Sequence, residues 1–113
     1  MEDLNYFKIE RAWKLIHLKR IQEAKKRFQE ALEEGDWKFD ALFGLFRCAI
    51  IADDKEEAGH YAKLAIQSSP SDADALYIKA KYEQIFGVLR RALEYGDEAL
   101  QFDPNHEQTL QLM

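Results

Sequence analysis

Residues with reactive side chains are few in this chain and lie far apart. The three histidines, His17, His60 and His106, are not embedded in an HExxH pair, a GxSxG elbow or a Gly-rich phosphate-binding loop. The acidic pair Asp53-Asp54 falls where a helix should end, and capping or solvation explains it without acid–base chemistry. We therefore predict that the protein is not an enzyme.

Cys48 is the only cysteine, so the chain has no internal disulfide. No group of Cys and His residues has the spacing of a metal site, and we expect neither a metal nor another cofactor. Cys48 lies inside an apolar segment, which is typical of an inert core thiol.

Composition indicates a single helix-rich domain. The 113 residues are 47% hydrophobic and 33% charged, with only five Gly and two Pro. Gly35, Pro70, Gly87 and Pro104 lie where helices should end or turn. We predict helices near residues 4–18, 21–34, 38–52, 55–68, 72–86 and 89–102, with a partial seventh helix from about 106.

Pairs of polar residues three apart mark three of the predicted helix starts. They have roughly the arrangement of a capping box, in which a side chain before the helix accepts a hydrogen bond from a backbone N–H in its first turn. The pairs are Asp54 with Glu57, Ser71 with Asp74, and Asn105 with Gln108.

Small residues recur along the chain every 34 residues. Alanine occupies two positions in each of three successive segments, and proline recurs at the same interval: Ala24, Ala58 and Ala92; Ala31, Ala65 and Ala99; Pro70 and Pro104. Alanine at such positions allows two helix backbones to approach closely, and proline ends a helix pair. The spacing predicts stacked helical hairpins.

This pattern resembles the tetratricopeptide repeat, and the resemblance covers nearly the whole chain. It implies an all-α fold, an α-solenoid of three antiparallel helix pairs with a partial seventh helix. The implied single domain spans residues 1–113, with repeats at about 5–38, 39–72 and 73–106, and with 107–113 starting a capping helix or a fourth repeat. The chain departs from the family pattern at Asp36, Phe46, Ala62 and Gly96.

In the family, the first helix of each pair lines a concave groove that binds a partner. The corresponding positions here are aromatic and aliphatic, with two cations that would meet acidic groups: Tyr6, Ile9, Trp13, His17, Phe43, Arg47, Ile50, Tyr77, Lys81 and Gln84. Whether Trp13 and Tyr77 are exposed there or pack internally is left open by the sequence. Ile50 and Ile51 are adjacent on a helix, so at least one of them should belong to the core.

Family members that grip a C-terminal carboxylate use Lys and Asn at particular groove positions. The corresponding positions here hold Ile9, Trp13, Gly44, Asp74 and Ile78. These residues do not supply the required cationic and amide donors, so the resemblance does not extend to that activity.

The function expected from the resemblance is a protein- or peptide-binding scaffold whose partner the sequence does not identify. The alternative is a self-assembly module that stacks end to end through its terminal repeats. Residues 1–28 carry eight basic and four acidic residues, a net charge of +4, whereas residues 29–113 carry eight and seventeen, a net charge of −9. Opposite charges at the two ends would favour head-to-tail contact.

Other partner classes are disfavoured by the sequence. The net charge of −5 and a pI near 5.2 argue against nucleic acid as the partner. The most apolar stretch, residues 41–52, is too short to span a bilayer and contains Arg47, so no membrane insertion is predicted. Without a visible targeting signal, the default expectation is a cytoplasmic protein.

Overall fold

The computed structural model of the protein describes residues 4–35 and 37–112, and its side chains from Tyr6 onward. Over these residues the chain is all-α, as predicted, and the bounds of the helices lie within one or two residues of the predicted ones. The helices are α1 (Leu4–His17), α2 (Ile21–Glu34), α3 (Lys38–Ile51), α4 (Lys55–Gln67), α5 (Asp72–Phe86), α6 (Leu89–Phe102) and α7 (Glu107–Leu112). Asp36, at the first predicted proline position, and Met113 lie outside the described residues.

Local chemistry explains where several of these helices begin and end. Gly35 follows α2 with φ of +86°, a left-handed conformation that suits glycine, and its N–H donates to the Leu32 carbonyl. Before α4, the Asp54 carboxylate accepts a hydrogen bond of 3.0 Å from the Glu57 N–H. Two of the sequence-level stop and start signals are thereby confirmed.

At the start of α5, the predicted pairing of Ser71 with Asp74 is also confirmed. The Ser71 hydroxyl accepts from the Asp74 N–H at 3.1 Å and donates to an Asp74 carboxylate oxygen at 2.8 Å. The pair leaves the other Asp74 carboxylate oxygen available for a partner outside α5.

The helices group into two compact units, Met1–Tyr61 and Ala62–Met113, hereafter unit 1 and unit 2. The division falls inside α4. The six alanines of the 34-residue repeat are all buried in the units that contain them. Burial of small residues at these positions is what close helix packing requires.

In unit 1, α1 packs on α2, α2 packs on α3, and α1 also contacts α3. The core joins aliphatic and small residues of these helices around one large ring, that of Phe28, which is fully buried. α3 approaches this ring so closely that a Cβ added at Gly44 would lie 2.3 Å from it. Only glycine fits at that position without displacing the ring.

Ion pairs join the surfaces of the unit 1 helices. Lys8 on α1 pairs with Glu34 on α2. Lys25 on α2 pairs with Glu57 on α4 at 2.5 Å, and the hydrogen bond from Glu57 raises the pKa of Lys25. These ion pairs connect neighbouring helices of unit 1 at the periphery of its core.

In unit 2, α5 packs on α6, and α7 contacts both helices. The largest apolar side chain that is completely covered in this unit is that of Ile78, at 0% exposed. The other buried apolar residues are mainly small or aliphatic: Ala62, Ala65, Ala73, Leu76, Tyr77, Ala80, Ala92 and Ala99. Two polar residues, His106 and Thr109, are buried with them.

Candidate binding surface

Aromatic side chains connect α1 with α3, and with Trp37 directly before α3, in unit 1. The Trp13 and Phe43 rings lie 5.8 Å apart, centroid to centroid, and the Tyr6 and Trp37 rings lie 4.9 Å apart. Tyr6 and Trp13 are seven residues apart on α1, which places them on the same side of that helix. We call the surface formed by Tyr6, Trp13, Trp37, Phe39, Phe43 and Arg47 the aromatic face.

The α3 side of the aromatic face follows from helical spacing. Phe39, Phe43 and Arg47 are successive residues at intervals of four, so they form one row along α3. The Phe39 and Phe43 rings lie 6.0 Å apart. All three side chains are half-buried, so each combines contact with the core and exposure to solvent.

The inner side of this surface is continuous with the core of unit 1. Trp13 meets the buried Phe28 ring edge-on at 5.4 Å, and Phe43 lies 6.4 Å from the buried Phe46 ring. Rings held from beneath in this way keep a fixed position. The Trp13 and Phe43 rings of the aromatic face are therefore held in place by the core beneath them.

Arg47 extends the row of α3 rings with a positive charge. It is half-buried and forms no ion pair with a carboxylate among the described residues. This agrees with the expectation that a cation within an apolar helix keeps its guanidinium in contact with solvent. A carboxylate of a bound partner would find an unneutralised charge beside aromatic rings.

The ten predicted groove residues differ in exposure. Tyr6, His17 and Gln84 are exposed; Trp13, Phe43, Arg47, Ile50 and Lys81 are half-buried; Ile9 and Tyr77 are buried.

Burial decides what some of these side chains can contribute. Ile9 is only 2% exposed and belongs to the unit 1 core, so it has almost no surface to offer a partner. Tyr77 is 8% exposed and lies 6.0 Å from the His106 ring. Neither Ile50 nor Ile51 is fully buried, contrary to the expectation that one of them is a core residue.

Within each unit, the structure brings some of the predicted residues together. In unit 1, Trp13 and Phe43 are in ring contact. In unit 2, the Lys81 ammonium donates to the Gln84 side-chain oxygen at 3.4 Å. Trp37 and Phe39 also belong to the aromatic face but were not among the predicted residues. Trp37 lies before the start of α3, and Phe39 does not correspond to a groove position of the family.

A buried polar cluster in unit 2 links α5 to α7. The His106 Nε2 lies 2.8 Å from an Asp74 carboxylate oxygen, and its Nδ1 lies 2.8 Å from the Thr109 hydroxyl. The Thr109 backbone N–H points to the same Nδ1 at 3.3 Å. Since an amide N–H only donates, Nδ1 accepts, and in the neutral ring Nε2–H donates to Asp74.

These three side chains have the order of an acid–base relay, but their burial suits a structural role. Thr109 is 0% exposed, so a substrate has no access to its hydroxyl. His106 immediately precedes α7 and acts as its cap. The Asn105–Gln108 pairing expected from the sequence is wrong by one residue, because the residue that caps α7 is His106.

Cys48 is buried in unit 1, as predicted. Burial raises the pKa of its thiol to about 11, while the positive charge of Lys25 acts in the opposite direction. A thiol with a raised pKa is a poor nucleophile at neutral pH. This matches an inert packing role.

Neither a metal site nor a membrane span is found in the described part of the chain. No three or more His, Cys, Asp or Glu side chains there are arranged to hold a metal ion. No helix over the same residues is both long and apolar enough to cross a bilayer.

No protein-family model matches the chain, and no curated protein matches it either.

Proposed function

We propose that the protein is a tetratricopeptide-like binding module that holds a protein or peptide partner on the aromatic face. The observation that carries the proposal is the Trp13–Phe43 pair, two half-buried rings fixed from beneath by Phe28 and Phe46 and followed along α3 by Arg47. The three-pair solenoid implied by the 34-residue spacing is part of the same proposal.

Physical chemistry favours this surface for binding. Aromatic rings that are already immobilised lose little conformational entropy when a partner covers them. Trp, Tyr and Arg are also the residues that most often dominate the energetics of protein interfaces. The aromatic face contains all three types in a small area.

The composition of the aromatic face defines the partner's chemistry. Half-buried rings select apolar or aromatic side chains, and Arg47 selects a carboxylate beside them. We infer that the partner presents a short segment in which an acidic residue lies close to one or two large apolar residues.

A C-terminal carboxylate grip of the kind known in the family fits this chain poorly. Ile9 and Ile78 are buried, and Gly44 has no side chain. Asp74 accepts hydrogen bonds from Ser71 and His106 and adds negative charge. None of these four positions supplies a donor to a free carboxylate.

Selection from a random peptide library on the purified chain tests the proposal. Enriched peptides should contain the acidic and apolar pattern, and Arg47→Glu should weaken their binding about tenfold or more, because a carboxylate would then meet a like charge. Lys55→Glu is the matched control, since Lys55 is an exposed residue of unit 1 and the charge change is equal. Equal affinities of the two variants would refute the role of Arg47, and a library without enrichment would count against the binding function.

A further inference from the structure

A second surface of unit 1 lies apart from the rings that define the aromatic face. Between α1 and α2 there is a cleft of about 250 Å³ lined by Arg11, Lys14, Leu15, Glu23 and Arg27. We call it the basic cleft. It has an apolar side chain, Leu15, among three cations and one carboxylate.

Existing ion pairs leave the basic cleft positive. Glu23 is engaged by Arg20 at 2.6 Å, outside the cleft lining. Arg27 is paired with Glu30 at 3.2 Å. Arg11 and Lys14 form no ion pair with a carboxylate of the described residues, so their two charges set the sign of the cleft.

Unit 2 has an exposed surface of the opposite kind on α6. Leu89 is 63% exposed and Leu93 46% exposed, and Asp97 follows at the same interval of four residues. These residues form one row on the helix, and the exposed Glu98 lies beside Asp97. We call Leu89, Leu93, Asp97 and Glu98 the acidic ridge.

The two surfaces match in chemistry. The basic cleft combines an apolar contact with an excess of positive charge, and the acidic ridge combines two exposed leucines with two carboxylates. Exposed leucines that lie in one row on a helix favour packing against another element. The carboxylates at the end of this row would meet Arg11 and Lys14.

We propose that the acidic ridge of one molecule docks into the basic cleft of a second copy of the same chain. The charge distribution of the sequence supports this occupant, because residues 1–28 have a net charge of +4 and residues 29–113 a net charge of −9. Each molecule carries both surfaces, so the contact is heterologous. Contacts of this type produce chains of molecules unless the geometry closes a ring.

Sedimentation equilibrium of the complete chain tests the contact. The average mass should rise with protein concentration beyond that of a dimer, and it should fall as salt screens the charges over a Debye length of about 8 Å at 0.15 M. A chain that stays monomeric at low salt and high concentration would overturn the proposal. Association that is insensitive to salt would overturn it too.

Two complementary variants then show which surfaces meet. A cleft variant carries Arg11→Glu and Lys14→Glu, and a ridge variant carries Leu89→Ser and Leu93→Ser. For each variant alone, the association constant should fall by about tenfold or more, since one of its two surfaces is disabled. An equal mixture should form a 1:1 heterodimer, because the intact ridge of the first fits the intact cleft of the second.

Controls separate a lost contact from a lost fold. All four substituted residues are exposed, and Leu15 of the cleft is left unchanged. The helical circular dichroism of each variant should equal that of the wild type. If the cleft variant with both substitutions loses helicity, Lys14→Glu alone replaces it as the cleft variant. A charge-matched variant with Lys55→Glu and Lys63→Glu should associate normally. A mixture that stays monomeric would show that the cleft and ridge do not meet.

The tests of this contact between copies and of the proposed partner site have independent outcomes. Arg47→Glu changes the aromatic face and leaves the basic cleft and acidic ridge unchanged. The cleft and ridge variants should therefore bind library-selected peptides as the wild type does.

Discussion

Unit 1 and unit 2 contain alanines at the same repeat positions but fill the remaining space differently. Unit 1 buries the rings of Phe28 and Phe46, and Trp13 and Phe43 continue this ring packing to the surface. Unit 2 buries aliphatic residues together with a hydrogen-bonded polar cluster around His106. Equal spacing of small residues thus permits two different cores, one in which buried rings support the Trp13–Phe43 pair and one in which a mainly aliphatic interior includes the polar cluster that links α5 to α7.

The largest expected effect is the loss of the central ring of unit 1. Phe28→Ala should lower the free energy of unfolding by about 3–5 kcal/mol, because the ring is fully buried and its removal leaves a cavity. Urea denaturation followed by circular dichroism measures this. Phe102→Ala, at a 63% exposed position, is the control and should cost far less. Similar losses for the two variants would contradict the assigned core.

The close packing of α3 against the Phe28 ring predicts a second, smaller loss of stability. Gly44→Ala should cost about 1–3 kcal/mol of unfolding free energy, since its Cβ would lie 2.3 Å from the Phe28 ring. In a Phe28→Leu background the penalty should shrink, and a double-mutant cycle would measure the coupling. Equal penalties in both backgrounds would show that the close approach is not what limits this position.

Disrupting the polar cluster of unit 2 should lower the free energy of unfolding by as much as Gly44→Ala or less. His106→Ala should lower the free energy of unfolding by about 1–3 kcal/mol, because it removes the hydrogen bonds to the buried Thr109 and the half-buried Asp74. His17→Ala, at an exposed position, is the control. Denaturant titration of both variants measures the difference. If His106→Ala leaves the free energy of unfolding unchanged, the cluster has no structural role.

The smallest expected effect is a change in stability with pH that is caused by Cys48 in unit 1. The thiol of Cys48 has a pKa of about 11 in the folded chain against 9.0 as its ordinary value, so the folded state retains the proton longer. Below pH 9 the thiol has no effect on the pH dependence of stability. Between about 9 and 11 the unfolded chain binds fewer protons, and stability falls as pH rises.

Comparison with Cys48→Ala isolates that contribution. The wild type should lose stability relative to this variant as pH rises from 9 towards 11, as measured by thermal unfolding. A constant difference across this range would show that the thiol titrates normally in the fold.

Much of the helical framework could be predicted from the sequence because local chemistry encodes it. Gly35 ends α2 through its own backbone conformation, and Asp54 and Ser71 cap the helices that follow them. Burial of the repeat alanines also follows from their spacing. The helix ends and caps depend on residues within one helical turn, and the buried alanines on a spacing that the sequence shows directly.

The features that could not be predicted depend on contacts between distant residues. His106 and Asp74 are 32 positions apart, and no motif joins them. Ile9 fits the groove spacing but lies in the core, because the rotation of α1 against α2 and α3 determines which side of the helix is covered. The basic cleft likewise requires two packed helices before its residues become neighbours.

Intrinsic tryptophan fluorescence tests the central claim, partner binding on the aromatic face, most directly. The chain contains two tryptophans, Trp13 and Trp37, and both belong to that face. Titration with a library-selected peptide should shift the tryptophan emission, and Phe43→Ala should weaken the binding measured in parallel by calorimetry. Calorimetric binding with unchanged emission and unchanged affinity of Phe43→Ala would contradict the proposed site.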